Sequence, residues 1–186
     1  MFGARSVIAS IAETRERVES LGATLADEYS FLDIIFVPQR GAWNLNRRTI
    51  RLRVHGGVGS QLVASARLTD KRIRWAKAGK SDEVILNSSF GDLEKAFVFI
   101  QRNYGNSLKI GLEYSRDGWK YKLGDCHLYI EDIKIPWFPS TIEIEAETEE
   151  GLRECCERLG ISEISFYSVP EMVRRHLRSV SNKPKA

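Results

Sequence analysis

Cysteine is scarce in this chain, and every mark of export or membrane insertion is absent. Only Cys126, Cys155 and Cys156 occur among 186 residues, and no C-x-x-C pair is present. An odd, sparse set with two adjacent members argues for a reducing compartment, and against both a disulfide framework and a zinc site. The expected location is the cytoplasm. Met1 to Arg5 hold no apolar core of the signal-peptide kind. No apolar run approaches the roughly 20 residues that span a bilayer, so no membrane partner is expected. The three histidines, His55, His127 and His176, include no i, i+4 pair for zinc. There is no internal repeat and no linker rich in Pro, Gly or Ser. The chain therefore reads as a single domain over residues 1–180 with a polar, disordered tail over 181–186.

Other absences exclude further classes. The net charge of +3 is too small to argue for nucleic acid. Trp43, Trp75, Trp119 and Trp137 are scattered and make no stacking platform for single strands. Gly79-Lys80-Ser81 looks like the end of a P-loop, but Arg74 stands where the first glycine is required. That segment reads as a mobile basic loop.

What is present is a series of short strands with few helices. Ser6 to Leu21 has helical spacing, with Ser6 as cap and Gly22 as stop. Strands are expected at Tyr29 to Val37, Thr49 to Val54, Leu62 to Trp75 and Glu83 to Leu86, with a turn at Gly56-Gly57 and a loop over 76–82. A helix capped by Asp92 runs to about Tyr104. Further strands are expected at Leu108 to Ser115, Trp119 to Leu123, His127 to Ile133 and Thr141 to Glu147. Thr148 caps a third helix and Pro170 opens a fourth. Short turns between strands favour an α+β fold built on an antiparallel sheet or barrel.

The strands carry charge on alternate positions, and residues i and i+2 share a face. Arg51 and Arg53 oppose Ile50, Leu52 and Val54. Arg67, Thr69 and Lys71 share one face, and Lys120 and Lys122 share another, joined by Arg116 if that strand is continuous. Glu143, Glu145 and Glu147 oppose Ile142, Ile144 and Ala146. One wet face on an antiparallel sheet needs no function. Here, however, the charges are segregated by strand, one set cationic and one anionic. Arginine forks and lysines suit phosphate oxygens, and a glutamate row suits a hard cation such as Mg²⁺ or Mn²⁺.

In order and rough spacing these segments resemble the CYTH domain, the triphosphate tunnel family of class IV adenylate cyclases, thiamine triphosphatases and inorganic triphosphatases. Residues 31–38, Phe-Leu-Asp-Ile-Ile-Phe-Val-Pro, resemble its D-x-Y-F-x-x-P strand. Arg51-Leu52-Arg53 resembles L-R-x-R, and Leu68-Thr69-Asp70-Lys71 resembles L-T-x-K, with Glu83 where a glutamate follows. Arg116-Asp117-Gly118-Trp119 is similar to R-x-x-[YW]. Ile130-Glu131-Asp132-Ile133 is similar to L-D-x-V, and Glu143-Ile144-Glu145 to the E-I-E strand. The resemblance implies an antiparallel β-barrel or tunnel with helices packed outside. It implies phosphate contacts from Arg51, Arg53, Lys71 and Arg116, with Lys120 and Lys122 on the same cationic surface. It also implies Mg²⁺ or Mn²⁺ on Glu143, Glu145, Glu131 and Glu83.

The family opens with a strand carrying E-x-E-x-K, which supplies metal ligands and a phosphate lysine. Met1 to Arg5 hold no such motif, so the chain is expected to begin at the following helix, leaving a sheet edge that favours a homodimer. Tyr114 falls where the lysine of a K-x-R strand would stand. Three functions remain open. One is metal-dependent binding of a small-molecule triphosphate, with hydrolysis or cyclisation. The second is a catalytically inactive polyphosphate or nucleotide module. The third is a nucleic-acid accessory protein built on the basic end at Arg174, Arg175, His176 and Arg178, for which the sequence offers least.

Overall fold

The computed structural model describes residues 2–55, 65–76, 79–165 and 167–181. In chain order the elements are β1 (Phe2–Val7), α1 (Ile11–Ser20), β2 (Thr24–Pro38), β3 (Arg48–His55), β4 (Ser65–Ala76), β5 (Gly79–Phe90) and α2 (Leu93–Tyr104). A 3-10 turn at Gly105–Ser107 leads into β6 (Leu108–Leu123), β7 (Cys126–Ile133), β8 (Thr141–Ala146), α3 (Glu149–Arg158) and α4 (Val169–Ser181). The strands form a closed antiparallel barrel in the order β1-β5-β4-β3-β2-β6-β7-β8. The α+β antiparallel barrel expected from the short turns and from the family resemblance is found. No helix among the described residues is long and apolar enough to cross a membrane.

The N-terminus corrects the sequence reading. Residues 2–7 are a strand, not the lead into a helix. β1 pairs with β8 from Phe2↔Ala146 to Val7↔Thr141, and with β5 at Phe2↔Ser81 and Gly3↔Lys80. Strand formation here comes from main-chain groups on two waiting neighbours, which override weak local propensity. The first helix starts at Ile11, and its cap is Ser10, whose hydroxyl accepts from the Glu13 amide at 3.3 Å. Closure also removes the open edge on which the homodimer expectation rested.

Two further boundaries differ. The loop expected over 76–82 is strand from Gly79 onward, and the two segments expected at 108–115 and 119–123 are one continuous β6. Asp92 and Thr148 cap α2 and α3 as anticipated, accepting from Lys95 and Gly151 amides at 2.8 and 3.0 Å. The Gly56-Gly57 turn, residues 62–64 of the expected third strand and residues 182–186 of the expected tail lie outside the described residues.

The chain gathers into two compact units. The first comprises Met1–Phe31, Arg74–Glu83 and Ser115–Phe166. Its core packs Leu128, Ile130, Ile142 and Ile144 against Val18 of α1 and Leu152, Cys155 and Cys156 of α3. All three cysteines are buried free thiols, and burial, then Cys126, push the Cys155 thiol up to about 12. The second comprises Leu32–Ile73, Val84–Tyr114 and Tyr167–Ala186. Its core sets Ile50, Leu52, Val54 and Leu68 against Ala96 and Ile100 of α2. At the start of α4 the Ser168 amide donates to Asn46 Oδ1 at 2.6 Å and its hydroxyl to the Leu45 carbonyl at 2.8 Å. In each unit, helices cover the apolar face of the strands, which leaves the charged positions on the other face.

Candidate functional site

Each unit carries a polar cluster of its own. In the first, β8 turns Ile142, Ile144 and Ala146 into the core and presents Thr141, Glu143 and Glu145 on the opposite face. Register brings Arg5 of β1 opposite Glu143, and Glu131 and Tyr129 of β7 opposite Thr141 and Glu143. Arg5 Nη1 donates to Glu131 Oε2 and to Thr141 Oγ1, each at 2.8 Å, and its Nη2 pairs with Glu143 Oε2. Arg116 Nη1 donates to Glu131 Oε1 at 2.7 Å, and the Tyr29 hydroxyl donates to the same oxygen at 3.0 Å. Lys80 Nζ lies 2.6 Å from Glu143 Oε1 and 3.9 Å from Asp82 Oδ2. Arg5, Arg116, Glu131 and Glu143 are buried.

Gly118 makes part of this arrangement fit. It stands opposite Glu131, and a Cβ there would come within 2.3 Å of the Tyr29 ring, so a side chain would push Tyr29 off its carboxylate. The Arg116 guanidinium also sits 5.3 Å from the centre of the Phe31 ring, a cation–π distance.

Charge balance fixes the protonation states. Burial alone would raise the Glu131 carboxyl, but the Arg116 and Arg5 guanidiniums hold it down at about 2. Burial likewise opposes ionisation of Glu143, and Arg5 and Lys80 override it, holding the group well below the usual carboxylate range. Lys80 is raised for the converse reason, with Glu143 and then Asp82 outweighing its desolvation. The cluster is therefore fully ionised at neutral pH and internally paired.

The remaining expected residues of this unit are more scattered. Glu145 is partly buried, and beside it burial and Glu145 push the Tyr129 phenol up. Lys120 lies 5.6 Å above the Tyr129 ring, and Lys122 is exposed. His127, between them and Glu145 in the register, is pushed down by burial and by both lysines. Glu83 is not with the other glutamates: it is exposed and meets Arg74 at 3.2 Å. Among the described residues, no three His, Cys, Asp or Glu side chains gather closely enough to hold a metal ion.

The second unit is cationic. With Ile50, Leu52 and Val54 in the core, β3 presents Arg51, Arg53 and His55 on the other face. β4 pairs with it at Arg51↔Thr69, Arg53↔Arg67 and Thr49↔Lys71. These side chains line a cavity of about 200 Å³, completed by Val84 and Asn87 of β5. Arg53 grips the fully buried Asp33 of β2 with Nε at 2.9 Å and Nη2 at 3.1 Å. Arg51 Nε is 3.8 Å from Asp33 Oδ1, and that buried nitrogen makes no hydrogen bond among the described residues. Burial, then Arg53, Arg67 and Arg51, push His55 below its ordinary range. Asp70, next to Lys71, is buried and takes two bonds from Arg48 at 3.1 and 2.7 Å.

Of the expected phosphate residues, Arg51, Arg53 and Lys71 come together in one cavity, joined by Arg67. Arg116 belongs to the glutamate cluster instead, and Tyr114 is buried. Two members of that cluster, Arg5 and Lys80, were not foreseen. Lys80-x-Asp82 carried the alternation of a strand, and the P-loop-like glycine drew the reading toward a loop. Arg5 had no alternating neighbours to announce it.

No protein-family model and no curated protein matches the chain. Solved structures do. PH1012 from Pyrococcus horikoshii OT3 superposes with a TM-score of 0.71 at 17% identity, over 92% of this chain and 98% of that one. HpAC1 from Hippeastrum, an adenylyl cyclase candidate with a dominant triphosphatase activity, gives 0.68 at 13% identity over 94% and 95%. A chain of the Schizosaccharomyces pombe Mediator head module gives 0.56 at 14% identity over 88% and 96%. These likenesses show the fold, a closed tunnel of antiparallel strands of the CYTH type.

Proposed function

We propose that the chain binds a small molecule carrying an inorganic or organic triphosphate, such as ATP, in the cavity of the second unit, and acts as a binding module. One observation carries the reading. Four cations, Arg51, Arg53, Arg67 and Lys71, line a cavity with no carboxylate among its described lining residues, and one buried guanidinium nitrogen there, Arg51 Nε, has no hydrogen bond among the described residues. Arg67 is exposed, but the Arg51 and Arg53 side chains are largely covered, and cations partly withdrawn from water cost free energy unless compensated. Asp33 offsets part of that from behind the arginines, and a polyphosphate supplies the rest with oxygens that match the guanidinium fork.

The expected divalent ion, Mg²⁺ or Mn²⁺, does not fit the residues present. Glu131 and Glu143 are engaged by guanidinium and ammonium groups, and Glu83 is elsewhere. No catalytic step is therefore built on a metal. The Mediator head neighbour agrees with a fold serving in an assembly. The triphosphatase activity of the Hippeastrum neighbour favours turnover as the second reading. The nucleic-acid reading is weakened at α4, where Arg174 and Arg175 pair with Glu171 at 2.5 and 3.0 Å.

Isothermal titration with tripolyphosphate, ATP and thiamine triphosphate tests the proposal, beside assays of phosphate release and cyclic AMP formation with Mg²⁺ or Mn²⁺. The expected result is saturable binding with no turnover above that of a Glu143→Gln, Glu145→Gln variant. Turnover that disappears in the variant selects the enzyme. No binding of any triphosphate rejects both. RNA or DNA binding that survives charge reversal at Arg51 and Arg53 would select the third reading.

A further inference from the structure

We propose that Arg5 is a built-in cation at the glutamate row. Glu131 and Glu143 then take up no divalent metal, and the phosphate binding proposed above, on which this second clause rests, proceeds without one.

The argument begins with the four carboxylate oxygens. Glu131 Oε1 faces Arg116 at 2.7 Å and Glu131 Oε2 faces Arg5 at 2.8 Å. Glu143 Oε1 faces Lys80 at 2.6 Å, and Glu143 Oε2 faces Arg5. Every oxygen of these two carboxylates already has a protein cation against it. Arg5 is the member that spans both carboxylates. It reaches one on β7 and one on β8, and spends its other contact on Thr141 Oγ1 at 2.8 Å. Mg²⁺ and Mn²⁺ take oxygen ligands in near-octahedral geometry at about 2.0–2.2 Å. A guanidinium between the two carboxylates occupies the volume in which such an ion would lie.

Charge points the same way. Arg5, Lys80 and Arg116 place three positive charges on the two buried carboxylates, and both carboxyls are held ionised by them. A doubly charged cation gains little from carboxylates already neutralised, and is repelled at short range by their partners.

β1 offers no extra oxygen either. Its other residues on this face are Gly3, which stands opposite Glu145, and Val7, which stands opposite Thr141 and has an aliphatic side chain. The nearest atoms to a Cβ at Gly3 would be Lys80 Cε at 3.4 Å and the Ile144 carbonyl oxygen and Glu143 Oε1 at 3.6 and 3.7 Å, ordinary contacts. Space does not forbid a side chain there. The position lacks a ligand atom because of which residue it carries.

The test is a titration of the full chain with Mn²⁺ alone, followed by calorimetry and by the loss of free Mn²⁺ signal in electron paramagnetic resonance. The expected result is no saturable uptake through the millimolar range, and the same thermal midpoint in EDTA and in Mn²⁺. One Mn²⁺ per chain, lost in Glu143→Gln, overturns the proposal. An Arg5→Met, Lys80→Met variant that folds is expected to gain Mn²⁺ uptake, because both oxygens of Glu143 and Oε2 of Glu131 lose their cations while Arg116 keeps Oε1 of Glu131. The wild-type titration decides the matter if that variant does not fold. In a second arm, tripolyphosphate is expected to bind at least as tightly in EDTA as in Mg²⁺, and a requirement for Mg²⁺ also overturns the proposal. Silence in both media rejects the arginine-cavity reading instead, and the Mn²⁺ titration still decides the role of Arg5.

Discussion

Arg5 and Glu143 stand directly opposite each other in the β1–β8 ladder, and their side chains close that pairing as an ion pair shut off from water. A sheet register and an electrostatic contact thus specify the same alignment. A slip of β1 by one residue would turn Arg5 toward the core and leave Glu143 and Glu131 short of a partner.

Removing that partner is expensive. Arg5→Met takes one cation from each of two buried carboxylates, leaving Arg116 on Glu131 and Lys80 on Glu143, and breaking buried pairs of this kind typically costs about 3–5 kcal/mol. Urea unfolding is expected to show a loss of that order, with Arg5→Lys intermediate, because an ammonium cannot span both carboxylates. Equal stability for wild type and Arg5→Met would sink the account of this cluster.

Acid tests the same cluster. The Glu131 carboxyl titrates near 2 in the folded chain against an ordinary 4.5. Its contribution is therefore complete above 4.5 and is lost as pH falls toward 2. In that window the unfolded chain binds more protons, so stability rises with pH. Unfolding midpoints measured across it are expected to climb with pH in wild type and to flatten in Glu131→Gln.

The two arginines of the cavity are expected to separate binding from folding. Arg53 is bound to buried Asp33 through two hydrogen bonds, whereas Arg51 lies 3.8 Å from it. Arg51→Ala is expected to weaken tripolyphosphate binding about tenfold, the equivalent of ~1.4 kcal/mol, with little change in thermal midpoint. Arg53→Ala is expected to lose both binding and stability. Calorimetry and thermal unfolding on the same samples check the split.

His55 reports on occupancy. Burial and the neighbouring arginines keep it neutral at pH 7. An anion among those arginines is expected to raise its pKa, followed by NMR through its ring protons. Reciprocity then requires tripolyphosphate to bind more tightly as pH falls through the titration of His55. An unmoved His55 in a saturated sample places the anion elsewhere.

The parts legible in the sequence were those that strand alternation encodes. Arg51-Leu52-Arg53 and Glu143-Ile144-Glu145 each state locally which side chains share a face, and the structure keeps both alternations. β1 was hidden because Phe2-Gly3-Ala4-Arg5-Ser6-Val7 has little strand propensity of its own. What makes it a strand is partners far along the chain, with Arg5 and Glu143 138 positions apart. Lys80 was misread for a related reason, since a glycine beside it signals a turn only where no neighbour fixes the backbone. The pairing of Glu131 and Glu143 could not be read locally, because it depends on which cations arrive from β1, β5 and β6.

The position of β1 between β5 and β8 also governs when the molecule can assemble. The first strand of the barrel has its longest ladder with the eighth, so the barrel cannot close until β8 is available. Until β8 arrives, β1 has no ladder for Arg5 to complete, and the edges of β5 and β7 stay open to other chains. The residue proposed to stand in for a metal is thus also the last charge to be seated, and refolding should be slow for a chain of this size.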